Sequence, residues 1–174
     1  MDSSYIKTTG FVLNSKKHLN SSKIISFFTP EYGKLKLIAQ GARRPKNNFG
    51  LSLEVSAYSE IVFIHNYKTS SYLIKESDLL NILEINIENY KKNLYLFSLN
   101  KLLDQVLPIG EINKEIFFTY YKFAKNLHLL DNEDIILRDY LKVIFEILAF
   151  LGYPLKGNCI FCGEKNLNFY DYGN

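Results

Sequence analysis

The hydrophobic pattern changes its period once, near residue 80, and that change divides the chain into a β part followed by an α part. Before it come five segments, IKTTGFVLN, SKIISFFT, GKLKLIA, LEVSAYSEIVFI and SSYLIK. They are short, rich in β-branched and aromatic residues, and separated by turn formers such as Pro30-Glu31-Tyr32-Gly33. No helical stretch between them is long enough for a parallel crossover. Five short strands joined in antiparallel style expose two edges unless the sheet curls onto itself, so a small closed or nearly closed barrel is expected.

After the change, residues 89–107 place Tyr90, Leu94, Phe97 and Lys101 on one stripe and Leu96, Leu99, Leu103 and Val106 on another, and Pro108-Ile109-Gly110 ends the helix. A second helix is expected over residues 114–127, capped by Asn113. A third has Asp131 or Asn132 as its cap, Glu133 and Asp134 at its positive end, and Gly152 with Pro154 to close it. Its body, DIILRDYLKVIFEILAFL, is apolar nearly all round, which predicts a central helix with little besides Arg138, Asp139, Lys142 and Glu146 facing water. With no repeat and no low-complexity linker, the two parts are expected to pack together. The fold class that follows is α+β: a five-stranded oligonucleotide-binding (OB-fold) barrel over residues 1–80, a helical domain over 81–155, and a short cysteine-bearing module over 156–174.

The 174 residues are 47% apolar, which supports ordinary packed cores. No apolar run approaches the roughly 20 residues that span a bilayer, and the N-terminus lacks a secretory pattern, so the expected location is cytoplasmic. The net charge of +3 is unevenly spread. Residues 1–80 carry eleven Lys/Arg against six Asp/Glu, whereas residues 81–174 carry ten against twelve. Within residues 3–53 there are nine basic side chains and a single acid, Glu31. The densest part is GKLKLIAQGARRPKNNFG, where a strand pattern runs into a Gly/Pro-punctuated loop without any acid. Lys34, Lys36, Arg43, Arg44 and Lys46 there form a candidate phosphate-binding set, and the two arginines offer forks that take a phosphate with paired hydrogen bonds. Phe49, in the polar end of the same loop, is a candidate for stacking on an unpaired base.

The sequence points away from catalysis. His18, His65 and His128 lie on different elements and at no metal-ligand spacing, and there is no GxSxG elbow, no phosphate loop ending in Lys-Ser/Thr and no framed carboxylate pair. Cys159-Ile160-Phe161-Cys162-Gly163 has the form of a zinc knuckle, since two thiolates at this spacing reach one ion and the Gly relieves the turn. A redox dithiol would open a helix after a strand, whereas this pair follows a helix end. A closed Zn²⁺ site needs four ligands and the chain has only two cysteines, so it holds half a site. Either more sequence follows, or the metal is lost, or another chain completes the shell.

Taken together, Gly10-Phe11-Val12-Leu13, Thr29 to Gly33, Ala39-Gln40-Gly41-Ala42-Arg43 and, about a hundred residues later, LGYPLKGNCIFCG resemble the bacterial recombination mediator family RecO. The resemblance implies an OB-fold barrel, a helical domain and, in many members, a four-cysteine zinc module. It also implies members that continue for several dozen residues beyond this length. In function it implies a non-enzymatic, nucleoid-associated DNA repair and recombination protein. Such a protein binds single- and double-stranded DNA, anneals strands, and works with RecR to help RecA replace single-strand-binding protein. Arg138 and Lys142, four residues apart and near Tyr140, Leu141 and Phe145, form a candidate site for the acidic, hydrophobic-ended C-terminal tail of single-strand-binding protein. The competing readings are an RNA-binding barrel protein and a small metal-dependent enzyme using Cys159 and Cys162.

Overall fold

A computed structural model describes residues 5–66, 71–82 and 90–153. Five strands, β1 (Ile6–His18), β2 (Ser22–Thr29), β3 (Gly33–Ala39), β4 (Ala57–Asn66) and β5 (Ser71–Ile82), close into one barrel in the order β1-β2-β3-β5-β4. All neighbours are antiparallel except β3 and β5, which pair in parallel through Leu37–Tyr72 and Ile38–Leu73. Closure by that single parallel contact needs a long return from β3 to β4, and residues 40–56 supply it. This connector plugs one end of the barrel, with Ala42 and Leu53 buried among the interior side chains Val12, Ile25, Phe27, Leu37 and Ile61. The strand expected to begin at Leu53 therefore begins at Ala57, because Leu53 serves in the plug.

The helical part consists of α1 (Tyr90–Val106), α2 (Lys114–Asn126), a single 3₁₀ turn at Leu127–Leu129, and α3 (Glu133–Phe150). The Asn113 side chain accepts from the Ile116 amide, and the Asn132 side chain accepts from the amides of Asp134 and Ile135, so both helices start at side-chain caps. α3 departs from expectation. Of its residues only Ile136, Val143 and Ile147 are fully buried, while Leu137, Leu141, Phe145 and Phe150 are exposed. Among the described residues α3 meets neighbours on one side only, since three helices cannot surround one of their own number.

A bulge in β1 joins barrel and helices. Val12 faces Phe27 of β2, but Asn14 faces Ser26, so Leu13 is the extra residue. Val12 lies inside the barrel, while Phe11 and Leu13 belong to the helical core together with Phe28. The Phe11 ring meets the edge of Tyr120 at 4.8 Å and Phe28 meets Phe117 at 5.3 Å. The seam also holds a buried polar cluster. Asn100 on α1 donates through Nδ2 to Ser56 Oγ at 2.7 Å and accepts through Oδ1 from the Tyr120 hydroxyl on α2. Burial pushes the Tyr120 phenol well above its ordinary range, and the hydrogen bond to Asn100 offsets only part of that. At the start of β3 the α1–α2 loop lies against the strand. The Gly110 amide donates to Lys34 O at 2.9 Å, and Gly33 (φ +64°) leaves room for Glu111, whose carbonyl oxygen would be 2.0 Å from an added Cβ.

Candidate nucleic-acid interface

Two rungs of the barrel place cations on the outer face of β1, β2 and β3. Register aligns Asn14, Ser26 and Lys36 across the three strands, and Lys16, Ile24 and Ile38 in the next rung. These six residues alternate with interior ones such as Ile25 and Leu37, as a pleated strand requires. The helical part packs on the Phe11–Phe28 end of this face and reaches as far as Asn14 through Asp104. Beside it, five of the six rung residues, all but Ile38, line an open cavity of about 340 Å³ together with Lys17, Lys34, Leu35, Asp104 and Ile109. Lys16, Lys17 and Lys36 are exposed, and among the described residues none of them is in an ion pair. The half-buried Ile24 and Ile38 and the exposed Ile109 supply apolar surface between the ammonium groups.

The cationic surface continues around the β1–β2 turn onto the connector. The Arg43 amide donates to Ser21 O at 2.9 Å, and its guanidinium donates to Leu19 O and Asn20 O at 3.2 and 3.3 Å. Asn47 shapes the loop that follows, donating to Arg44 O and accepting from the amides of Phe49 and Gly50. Arg44 and Lys46 are exposed and without ion pairs among the described residues. The one acid of residues 3–53, Glu31, accepts from Thr8 Oγ1 at 2.8 Å, at the opposite end of β1. Cations outnumber acids along this side of the barrel, where Asp104 lines the cavity and Glu54 is paired with Lys23, and the net positive field reaches out to about a Debye length in physiological salt.

Residues 1–83 match the family described as Recombination protein O N terminal. The chain belongs to the RecO family. It is 28% identical over 169 residues to the DNA repair protein RecO of Alkaliphilus metalliredigens, an alignment that covers 96% of this chain and 67% of the relative. To the protein of the same name from Caldanaerobacter subterraneus it is 30% identical over 175 residues, 95% of this chain and 66% of the relative. To that of Thermodesulfovibrio yellowstonii it is 31% identical over 162 residues, 92% and 63%. The chain thus spans about two-thirds of the length of these relatives.

Of the residues expected from sequence, Lys36, Arg43, Arg44 and Lys46 are exposed on this side of the barrel. Lys34 is a correction: it is 8% exposed and its ammonium donates to Asp104 O at 2.6 Å, which makes it a strut between barrel and α1 with its tip at the floor of the cavity. Asn14 reinforces the same joint by donating to Asp104 Oδ2 at 2.6 Å. Phe49 is a second correction, since its half-buried ring packs on the barrel core as part of the plug. Lys23 is paired with Glu54 at 2.6 Å. Lys16 and Lys17 were not in the expected set, because only the register through the Leu13 bulge shows that Lys16 shares a face with Lys36. On α3, Lys142 lies 3.9 Å from Glu146 and borders a cavity of about 430 Å³ against α2, whose lining also includes Glu115 and Asp139. Arg138 is exposed and not part of that lining, and Tyr140 faces the core side, its ring 4.9 Å from Tyr95. The basic pair and Tyr140 thus do not share one groove, as the 100° step of a helix dictates. Cys159 and Cys162 lie outside the described residues, among which no group of three or more metal-binding side chains occurs. Among the described residues no helix is long and apolar enough to cross a membrane.

Proposed function

We propose that this chain is a non-enzymatic DNA-binding protein of recombinational repair that holds the phosphate backbone along the outer face of β1, β2 and β3 and onto the connector. The observation that carries this reading is the run of cations without ion pairs among the described residues, Lys16, Lys17 and Lys36 followed by Arg44 and Lys46, beside an open cavity of about 340 Å³. Cations spread along a strip neutralise successive phosphates and release counterions, which gives affinity with little dependence on sequence. The isoleucines in the strip offer flat apolar contact to unstacked bases. Membership of the RecO family supports the wider role: binding single- and double-stranded DNA, annealing strands, and helping RecA replace single-strand-binding protein with RecR and the tail of single-strand-binding protein as partners. A zinc knuckle belongs to the same reading, with Cys159 and Cys162 supplying two of its four ligands.

The test is a salt titration of binding to single-stranded DNA, duplex DNA and RNA, with the native chain and a Lys16→Ala/Lys36→Ala variant. Loss of two phosphate contacts should flatten the plot of log affinity against log salt by about 1.4 for single strands and about 1.8 for duplex. An unchanged slope and affinity would refute the assignment of this face. A strong preference for RNA that disappears on removing the 2′-hydroxyl would move the reading to RNA.

A further inference from the structure

The tip of the β1–β2 hairpin carries a side chain that its position does not favour. Leu19 is 78% exposed, more than any other large apolar residue among those described, and its φ is +49°. The left-handed region suits Gly or Asn at such a turn, and Asn20 stands immediately after it. The leucine is thus both badly solvated and mildly strained, and nothing in the fold uses its side chain. The backbone that presents it is nevertheless braced. Arg43 hydrogen-bonds the carbonyls of Leu19 and Asn20 and the next carbonyl, Ser21 O, accepts from the Arg43 amide, so three successive residues are fixed from the barrel's plugged end. Cations flank the tip on two sides: Lys16 and Lys17 precede it on β1, while Arg43 reaches it from the connector, with the exposed Arg44 next in the chain.

We propose that Leu19 is an apolar wedge that enters the base stack of a bound nucleic acid at the junction between paired and unpaired strands, a role that rests on the nucleic-acid reading above. An apolar side chain held rigidly between two cationic strips matches a fork. One backbone follows Lys36 and Lys16 along the barrel face, the other follows Arg43 and Arg44, and the tip meets the last base pair, where unstacking is least costly. Leucine supplies the surface that displaces a base, and the braced backbone keeps it from folding away.

The test uses a forked DNA with 2-aminopurine as the last paired base, and compares the native chain with Leu19→Asn and Leu19→Gly. Both replacements accept a positive φ, so both should fold at least as stably as the native chain, which thermal unfolding verifies. Native protein should brighten the probe on binding, and both variants should bind the fork without brightening it. Their preference for fork over blunt duplex should fall by about tenfold, with affinity for plain single strands and its salt slope retained. Equal brightening by all three proteins would overturn the wedge while leaving the nucleic-acid reading intact. Failure of the native chain to bind any of these DNAs would overturn both.

Discussion

Replacing Asn100 by leucine should be among the most damaging single changes available in this chain, although it keeps side-chain volume nearly constant. Asn100 is 1% exposed and is the hydrogen-bonding partner of two groups that are fully buried, the hydroxyls of Ser56 and Tyr120. Leucine would leave both hydroxyls without that partner. A buried polar group left unpaired costs about 1–3 kcal/mol, so the pair should lose about 2–6 kcal/mol, a large part of the 5–15 kcal/mol typical of a folded domain. Removing the stranded hydroxyls as well should rescue the protein. In the triple variant Asn100→Leu/Tyr120→Phe/Ser56→Gly both stranded hydroxyls are gone, and glycine is at ease at the φ of +73° that Ser56 adopts. That variant should regain most of the loss. Urea unfolding of the three proteins, with slopes compared to confirm that the cooperative unit is unchanged, measures both effects. A single variant within about 1 kcal/mol of native, or a triple variant no more stable than the single, would show that the cluster is not what fixes barrel and helices together.

Two further outcomes follow from the same seam. Gly33→Ala should cost about 2–4 kcal/mol, because a Cβ there meets the Glu111 carbonyl at 2.0 Å as well as a φ of +64°, whereas Gly50→Ala, at φ +53° with nothing within 4 Å, should cost only about 1 kcal/mol; equal shifts in thermal unfolding would refute the close approach of the α1–α2 loop. Because burial raises the Tyr120 pKa in the folded chain, its contribution to stability is complete below the unfolded value of about 10 and is lost as pH rises above that, at up to about 1.4 kcal/mol per unit; the native chain should therefore lose stability faster than Tyr120→Phe between pH 9 and 11, and parallel curves would contradict it.

What could be read from the sequence was what depends on neighbours along the chain. Asn113 and Asn132 cap their helices as their positions predict, and β2 and β3 fall on the segments whose alternation is cleanest. The strip of cations was legible as composition but not as a surface. Lys34 and Lys36 sit two apart in one strand and so point the same way, yet one reaches the Asp104 carbonyl and the other stays in water. That difference is made by α1, seventy residues further along the chain. Phe49 misled for a similar reason: a polar loop around an aromatic ring reads as exposed, and only a barrel with an open end to fill explains why the ring turns inward.

The same dependence explains why the site is a strip and not a patch. A bulge at Leu13 shifts the register of β1 by one residue, and without that shift Lys16 would not lie on the face of Lys36. Phe11 and Leu13, on the other side of the shift, are the side chains that seat the helical part. One irregularity therefore does two things: it anchors the helices at one end of the outer face and turns Lys16 outward at the other. A change that regularised the strand should disturb domain packing and the cationic strip together, which ties the electrostatic surface to the core that supports it.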